Sequence, residues 1–173
     1  MQKGVKQDMP RIELVKGKYR NKHAIRNLIR YAINSSKTPH GIIGVLGAPY
    51  RKNADDIIDY FNQIQHFYKQ RKGRLAYHFL IEFSPNEQKL ISFKDYMEIG
   101  YQIGSFFDNE CYQTVFGLHE NTDNLHFHIV VNSVNYSTGK KYRLTKKKLK
   151  MFKEWVEETT LEYLPPSFLT NPV

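Results

Sequence analysis

The sequence predicts an α+β fold in which a central antiparallel β-sheet carries helices packed mainly on one side, as a two-layer structure or a sandwich. Short stretches alternate apolar and polar residues as strands do, and longer stretches repeat apolar residues at helical spacing. The two most apolar strands are joined by only six residues, HENTDN. Because so short a connection joins antiparallel strands, we expect a hairpin at the centre of the sheet.

The first half of the chain is expected to contain three strands and two helices. RIELVKG, from Arg11, alternates as a strand does, and residues 22–33 place their apolar side chains at helical spacing. GIIGVLGAP is a short apolar run between glycines and is predicted to be a strand. Asn53 is a suitable N-cap for a second helix, which ends by Gly73. RLAYHFLIEFSP is a third strand that ends at its Ser-Pro pair.

The second half is expected to contain two helices and the hairpin. Ser92 with Asp95 resembles a capping box and predicts the start of a helix. YQTVFGL and LHFHIVVNSV are the two hairpin strands, followed by a Ser-Thr-Gly turn. The last helix begins after Thr145 and is closed by Pro165 and Pro166.

The length and composition favour one soluble domain with a nucleic-acid partner. Residues 9–164 are predicted to form the domain, residues 1–8 a flexible tail, and residues 165–173 a tail or the truncated end of a longer protein. The net charge of +9 favours a polyanionic partner, although lysine-rich surfaces also occur without one. One cysteine excludes an internal disulfide and is typical of the reducing cytoplasm. No apolar run approaches the ~20 residues of a membrane span, so we expect a cytoplasmic protein without membrane insertion.

Three of the seven histidines fall within HENTDNLHFH. His126 and His128 share one face of their strand, because residues two apart in a strand point the same way. His119 ends the preceding strand and can complete a cluster across the hairpin. Three neutral imidazoles suit a divalent metal with open positions. A His-x-His pair alone is more often simply exposed, but the third histidine and the nearby Asp123, which could orient an imidazole, favour a metal site.

The strand AYHFLIEF repeats this pattern with a carboxylate. His78, Leu80 and Glu82 share one of its faces. Because an unpaired carboxylate is costly to bury, Glu82 either lies at an edge of the sheet or points into the site. In the site it could accept a proton from a nucleophile or orient a ligand.

The stretch HENTDNLHFHIVVNSVNYSTGKKYR resembles the three-histidine motif of plasmid relaxases, the mobilisation nucleases of the HUH endonuclease superfamily, and most closely the MobA/MobL-like MobP class. The resemblance continues through YHFLIEFSPNE and YQTVFGLH and reaches AIRNLIRYAINSSKT, which is similar to the family's nucleophile segment. It covers most of the chain, from about residue 10 to about residue 160. The sequence departs from the family at Asn124 and Asn121, where relatives often carry a further histidine and a further acidic residue, and it lacks an Asn-Cys pair after GIIGVLG.

The resemblance implies a DNA relaxase of a conjugative or mobilisable element. Such enzymes nick one strand of the transfer origin with metal assistance, leaving a 5′-phosphotyrosine link and a free 3′-OH, and later rejoin the strand. The implied nucleophile is Tyr31, and Tyr19 in the basic loop KGKYRNK is a second candidate. Glu82 and Asp123 complete the predicted catalytic group. The implied ligands of Mn²⁺ or Mg²⁺ are His119, His126 and His128.

The expected partner is single-stranded DNA at the transfer origin. Accessory relaxosome proteins and a coupling protein are further partners that the resemblance implies. Basic residues beside the two motifs could follow a phosphate backbone. The predicted DNA contacts are Arg30, Lys37, Arg51, Lys52, Lys140, Lys141 and Arg143.

Two other functions remain open. A rolling-circle replication initiator or HUH transposase would share the histidine site but usually carries its tyrosine on a helix after the histidine motif. Tyr163 is the late candidate, and no YxxxY pair occurs there. A non-catalytic single-strand DNA-binding module would keep the histidines without using them.

Overall fold

The computed structural model describes residues 9–49 and 53–170. Arg51 and Lys52, two of the predicted DNA contacts, and the predicted tail over residues 1–8 lie outside the described residues. Five strands and six helices follow one another along the described chain. They are β1 (Arg11–Leu14), α1 (Ala24–Ala32), β2 (Ile43–Leu46), α2 (Ala54–Phe67), β3 (Ala76–Glu82), α3 (Pro85–Leu90), α4 (Phe93–Asp108), β4 (Tyr112–His119), β5 (His126–Asn135), α5 (Lys146–Leu161) and α6 (Pro166–Thr170).

The five strands form one antiparallel sheet in the order β1-β3-β5-β4-β2. The predicted hairpin is confirmed, since β4 pairs with β5 and places His119 opposite His126 and Gly117 opposite His128. β5 lies between β3 and β4, so its residues 126–131, which include both strand histidines, are paired on both sides.

The two faces of the sheet are covered by different helices. On one face, Phe127, Ile129 and Val131 join the larger apolar cluster, which α4 and α5 complete. On the other face, Val115 and Val130 pack under α1 and α2. The α+β fold class is therefore confirmed in its sandwich form, with the larger apolar layer on the face predicted to be the core.

Helix starts follow the predicted capping chemistry. Asn53 accepts a hydrogen bond from the Asp55 amide at the start of α2, Ser92 and Asp95 form the predicted capping box, and Thr145 caps α5. Across the described residues, no helix combines the length and the apolar character needed to cross a bilayer.

Two short helices were not predicted. Ser84 and Glu87 form a second capping box that starts α3, with a proline at the first helical position, where only a strand end was predicted. α6 lies in the segment predicted to be a tail. Its Phe168 packs against the larger apolar cluster, and the fixed φ of Pro166 suits the first turn of a helix.

A buried polar network fixes α2 to the sheet. The Asn132 amide nitrogen donates to the Phe61 carbonyl at 3.1 Å and to the Gln113 amide oxygen at 2.8 Å. The Gln65 amide nitrogen donates to the Leu75 carbonyl and to the Asn132 amide oxygen, both at 2.8 Å. Asn132 therefore has both ends of its amide paired although it is fully buried.

Candidate metal and tyrosine site

Three buried imidazoles converge where β4 ends and β5 begins. His119, His126 and His128 each offer a ring nitrogen, and these nitrogens all lie within 4.8 Å of one another. The arrangement follows from strand geometry, because the hairpin pairs His119 with His126 and the two-residue period puts His128 on the same face. The structure thus brings the three predicted ligands together.

His119 is oriented by the end of α1. Its Nε2 lies 3.1 Å from the Tyr31 carbonyl oxygen and 3.0 Å from that of Ala32. Because a carbonyl only accepts, Nε2 must carry the ring proton and donate it. Nδ1 is then a bare acceptor, and it has no hydrogen-bond partner within residues 9–49 and 53–170.

His126 is oriented by the loop before β5. Its Nδ1 lies 2.9 Å from the Asn124 carbonyl oxygen and 3.2 Å from the Thr122 hydroxyl. The same reasoning places the ring proton on Nδ1 and leaves Nε2 as the free acceptor.

His128 is oriented by another histidine. Its Nδ1 lies 2.7 Å from Nε2 of His78, and its own Nε2 is buried without a partner in the described part of the chain. Each of the three rings therefore has one nitrogen held by the protein and the other available as a ligand. Buried acceptors without donors are costly, and they fit a divalent cation bound at this point.

Electrostatics keep the imidazoles of His78, His119 and His128 neutral. Burial, with neighbouring histidines, lowers the pKa of His78 and of His119 to about 4, although the Tyr31 and Ala32 carbonyls partly offset this at His119. Burial and three neighbouring imidazoles lower the pKa of His128 further. At neutral pH these rings are in the unprotonated form that metal coordination requires.

Tyr31 lies directly against the cluster. Its ring centroid is 5.2 Å from that of His119 and 4.9 Å from that of His128, yet the residue is 42% exposed. The Lys37 ammonium lies 3.8 Å from the centroid of the Tyr31 ring. The predicted nucleophile is therefore both in contact with two predicted ligands and accessible.

Gly117 explains how α1 comes this close to the sheet. A Cβ at Gly117 would lie 1.9 Å from the Ala32 carbonyl oxygen, so only glycine admits the helix end here. The same approach gives His119 its carbonyl partners and brings Tyr31 over the rings.

The other two tyrosine candidates lie elsewhere. The Tyr19 hydroxyl is 3.2 Å from Nδ1 of His78, which separates it from the three ligands by one imidazole. Tyr163 packs with the α4 and α5 cluster on the opposite face of the sheet, where its hydroxyl accepts a hydrogen bond from Gln102 at 2.7 Å. A late tyrosine therefore does not reach the histidines.

Glu82 lies on the site side of the sheet. β3 pairs with both β1 and β5, so the edge-strand alternative is wrong, and Glu82 lies opposite His126. Its carboxylate accepts a hydrogen bond from the Asn124 side chain at 3.0 Å. Glu82, Asp123 and His126 line a cavity of 340 Å³.

Asp123 does not orient an imidazole. It is exposed, and among the described residues its carboxylate makes no hydrogen bond to the histidine rings. Backbone carbonyls and His78 take that role instead. The strand pattern places His78 on the face of Glu82 but does not indicate a function for it. The contact between His78 and His128 depends on how β3 pairs with β5, which the pattern does not determine.

The predicted basic contacts divide into two groups. Lys37 is at the site, whereas the exposed Arg30 forms an ion pair with Asp55 at 2.7 Å. Lys140 and Arg143 are both exposed. Lys140 lies beside Asn135 at the far end of β5, roughly 23 Å from His128 at the rise of a strand. The chain then turns back along β5, where Lys141 pairs with Val134, so Arg143 lies closer to the histidines than Lys140 does along the strand direction.

Lys141 is partly held within the fold. Its ammonium donates to the Arg74 carbonyl at 2.7 Å and to the Ser133 hydroxyl at 3.1 Å, and burial lowers its pKa. Two of its three N–H donors are therefore used within the protein, and its contact with DNA stays a prediction.

Comparisons with known proteins agree with this geometry. Residues 31–164 match the sequence model of a family described as relaxase, MobA/VirD2-like, nuclease domain. Protein rlx of Staphylococcus aureus is 32% identical over 95 residues, which are 55% of this chain and 28% of that relative. The chain thus spans under a third of the length of this curated relative.

Two solved structures share the fold, each with a TM-score of 0.56, 16% identity and 89% of this chain covered. One comes from work on the molecular basis of vancomycin resistance transfer in Staphylococcus aureus, and 93% of its chain is covered. The other is the Mn-bound MobM relaxase domain in complex with oriT DNA of plasmid pMV158, with 86% covered.

Proposed function

Because this chain belongs to the MobA/VirD2-like relaxase nuclease family, we propose that it nicks one DNA strand at the transfer origin of a conjugative or mobilisable element through Tyr31. The observation that carries the proposal is the contact between the exposed Tyr31 ring and two of three converging imidazoles. A packing tyrosine would not need to stay accessible beside buried acceptors that lack donors.

The residues that would hold a divalent cation are His119, His126 and His128. Nitrogen ligands favour Mn²⁺ over Mg²⁺, which prefers oxygen, and the MobM relaxase domain is Mn-bound. A cation bound here would polarise the scissile phosphate and stabilise the charge that develops on its oxygens.

Tyr31 supplies the nucleophile. Its oxygen forms a bond to phosphorus as the hydroxyl proton leaves, and the bond from phosphorus to the 3′ oxygen breaks. The 3′ oxygen takes up a proton to become the free 3′-OH, and the 5′ side stays linked to the protein. The Lys37 ammonium beside the Tyr31 ring would attract the negatively charged phosphate, and attack by the 3′-OH on the phosphotyrosine reverses the reaction.

Glu82 acts best as a positioning residue. It lies opposite His126 and binds Asn124, whose carbonyl orients that histidine, while Tyr31 contacts the other two rings. Its loss should therefore weaken the site through His126. Asp123, on the rim of the same cavity, is placed to meet solvent or substrate.

Single-stranded DNA is the proposed partner, as oriT DNA is for the MobM relaxase domain. Lys37 is the predicted basic residue best placed for a phosphate near the scissile bond. Lys140 could contact only DNA that continues along the sheet to the far end of β5, whereas Arg143 is on the segment that turns back along that strand. Accessory relaxosome proteins, a coupling protein and a cytoplasmic location remain predictions.

A covalent-capture experiment tests the proposal. The protein is incubated with Mn²⁺ and a labelled single-stranded oligonucleotide from its own transfer origin, and SDS-stable adducts are measured on a gel. We expect adducts from the natural protein, none from Tyr31→Phe or in the presence of a chelator, and normal amounts from the control Tyr163→Phe on the other face.

Two outcomes would contradict this function. Equal adducts from Tyr31→Phe would show that another tyrosine is the nucleophile. DNA binding without any adduct from the natural protein would indicate a non-catalytic single-strand DNA-binding module.

A further inference from the structure

Behind the metal site, a hydrogen-bonded chain of three side chains leads away from His128. Nδ1 of His128 lies 2.7 Å from Nε2 of His78, and Nδ1 of His78 lies 3.2 Å from the Tyr19 hydroxyl. His78 is 5% exposed, so both of its ring nitrogens are used within the protein. Tyr19 has no role in the mechanism above, and His78 has been described only as the ring that contacts His128.

The positions of the protons in this chain follow from the free nitrogen of His128. If Nε2 of His128 is a ligand, its proton is on Nδ1 and is donated to Nε2 of His78. A neutral imidazole that accepts at Nε2 carries its own proton on Nδ1 and donates it to the Tyr19 oxygen. The Tyr19 hydroxyl proton then has no acceptor among these three side chains, so it is available for a hydrogen bond to another group.

Tyr19 borders the same cavity as the proposed nucleophile. Tyr19, Tyr31, His78 and His128 all line one cavity of 620 Å³. A phosphate oxygen of a strand bound beside Tyr31 is the acceptor that such a donor would stabilise most, because it gains negative charge during the reaction.

Contacts with distant residues hold Tyr19 in a strained backbone conformation. Its φ is +37°, a left-handed conformation unusual for a residue with a side chain, and its carbonyl accepts a hydrogen bond from the Leu75 amide at 2.9 Å. Its ring lies over Gly17, where a Cβ would be 2.3 Å from the ring carbon that bears the hydroxyl.

We propose that His78 and Tyr19 form a relay in which His78 positions His128 for metal binding and Tyr19 donates its hydroxyl proton to a phosphate oxygen of the bound DNA. The inference rests on the proposed function and assigns two residues to it. His78 is a positioning residue, and Tyr19 is a catalytic residue that touches the substrate without becoming covalently linked.

The role of His78 is tested by Mn²⁺ binding to the protein without DNA, measured by calorimetry. We expect His78→Ala to weaken binding about 10- to 100-fold, the range for lost support of a metal ligand. His78→Gln can still accept from His128 through its amide oxygen and should restore binding to within about threefold. The control His66→Asn changes an exposed histidine on α2 and should bind as the natural protein does.

The role of Tyr19 is tested by the rate of adduct formation. We expect Tyr19→Phe to keep Mn²⁺ affinity and slow the reaction by at least about tenfold, with the DNA still attached to Tyr31 by mass spectrometry. Gly17→Ala, which displaces the Tyr19 ring without changing any polar group, should slow it similarly. Tyr77→Phe removes a hydroxyl that binds the Tyr142 carbonyl and should not slow it.

The outcomes separate the relay from the proposed function. If the natural protein binds Mn²⁺ and forms adducts while folded His78→Ala binds Mn²⁺ equally well, the positioning role is wrong. If Tyr19→Phe reacts at the natural rate, the donor role is wrong. If Tyr19→Phe forms no adduct and Tyr31→Phe does, Tyr19 is the nucleophile and the relay is overturned. Absence of both Mn²⁺ binding and adducts in the natural protein would reject the proposed function itself.

Discussion

The two ends of one face of β5 show opposite ways to bury polar groups. At the far end, Asn132 has its amide oxygen and nitrogen paired with two glutamines and a carbonyl under α2. At the near end, His128 is also buried but has a ring nitrogen with no partner in the described chain, as has His119 across the hairpin. Since buried polar atoms are nearly always paired, the hydrogen bonds of Asn132 stabilise the fold, whereas the unpaired nitrogens of His119 and His128 are suited to bind a ligand.

The largest effect is expected from His126→Ala at the ligand end. Loss of one of the three proposed metal ligands should reduce adduct formation about a thousandfold or more, since a bound cation would supply most of the charge stabilisation at the phosphate. In chelator, the free energy of unfolding should change by less than about 1 kcal/mol, because the two hydrogen bonds that are lost, to Thr122 and Asn124, are only part-buried. Urea unfolding and the adduct assay measure the two quantities. A strongly destabilised but still active variant would show that the cluster serves the fold.

Asn132→Ala should have the opposite profile. Its removal leaves the Gln65 and Gln113 amides and the Phe61 carbonyl without their partner, which should lower the free energy of unfolding by about 2–3 kcal/mol. Mn²⁺ affinity of the folded protein should stay within about threefold of the natural value, as measured by calorimetry below the melting temperature. Loss of Mn²⁺ binding with unchanged stability would reverse the contrast between the two ends.

The predictable part of this site is the part that local patterns determine. The two-residue period of a strand put His126 and His128 on one face, and the short HENTDN connection put His119 beside them. The start of α3 is also determined locally, because Ser84 and Glu87 form a capping box, although this helix was not predicted.

The remaining features depend on contacts between distant segments. Helical spacing does not tell which residue of α1 meets the sheet, so Tyr31 was assigned by family resemblance and not from its pattern. The partner of His78 depends on the register of β3 against β5. Lys140 follows the histidine strand in sequence, but a ten-residue strand carries it to the other end of the sheet.

The smallest expected effect is the change in the free energy of unfolding as the pH falls, which arises at the histidine end of β5 and not at Asn132. The folded protein holds His78 and His119 at a pKa of about 4, against 6.5 for an unperturbed histidine. The unfolded chain therefore takes up these protons first as the pH falls, so the free energy of unfolding is full above about pH 7 and declines from pH 6.5 towards pH 4. Between pH 7 and 6 the loss should be about 0.5–1 kcal/mol for each histidine by linkage, measured by urea unfolding in chelator. His119→Asn should reduce this pH dependence by the contribution of one histidine, whereas His66→Asn, at an exposed histidine, should not change it. A dependence that persists unchanged in His119→Asn would mean that acid acts on groups outside the histidine cluster.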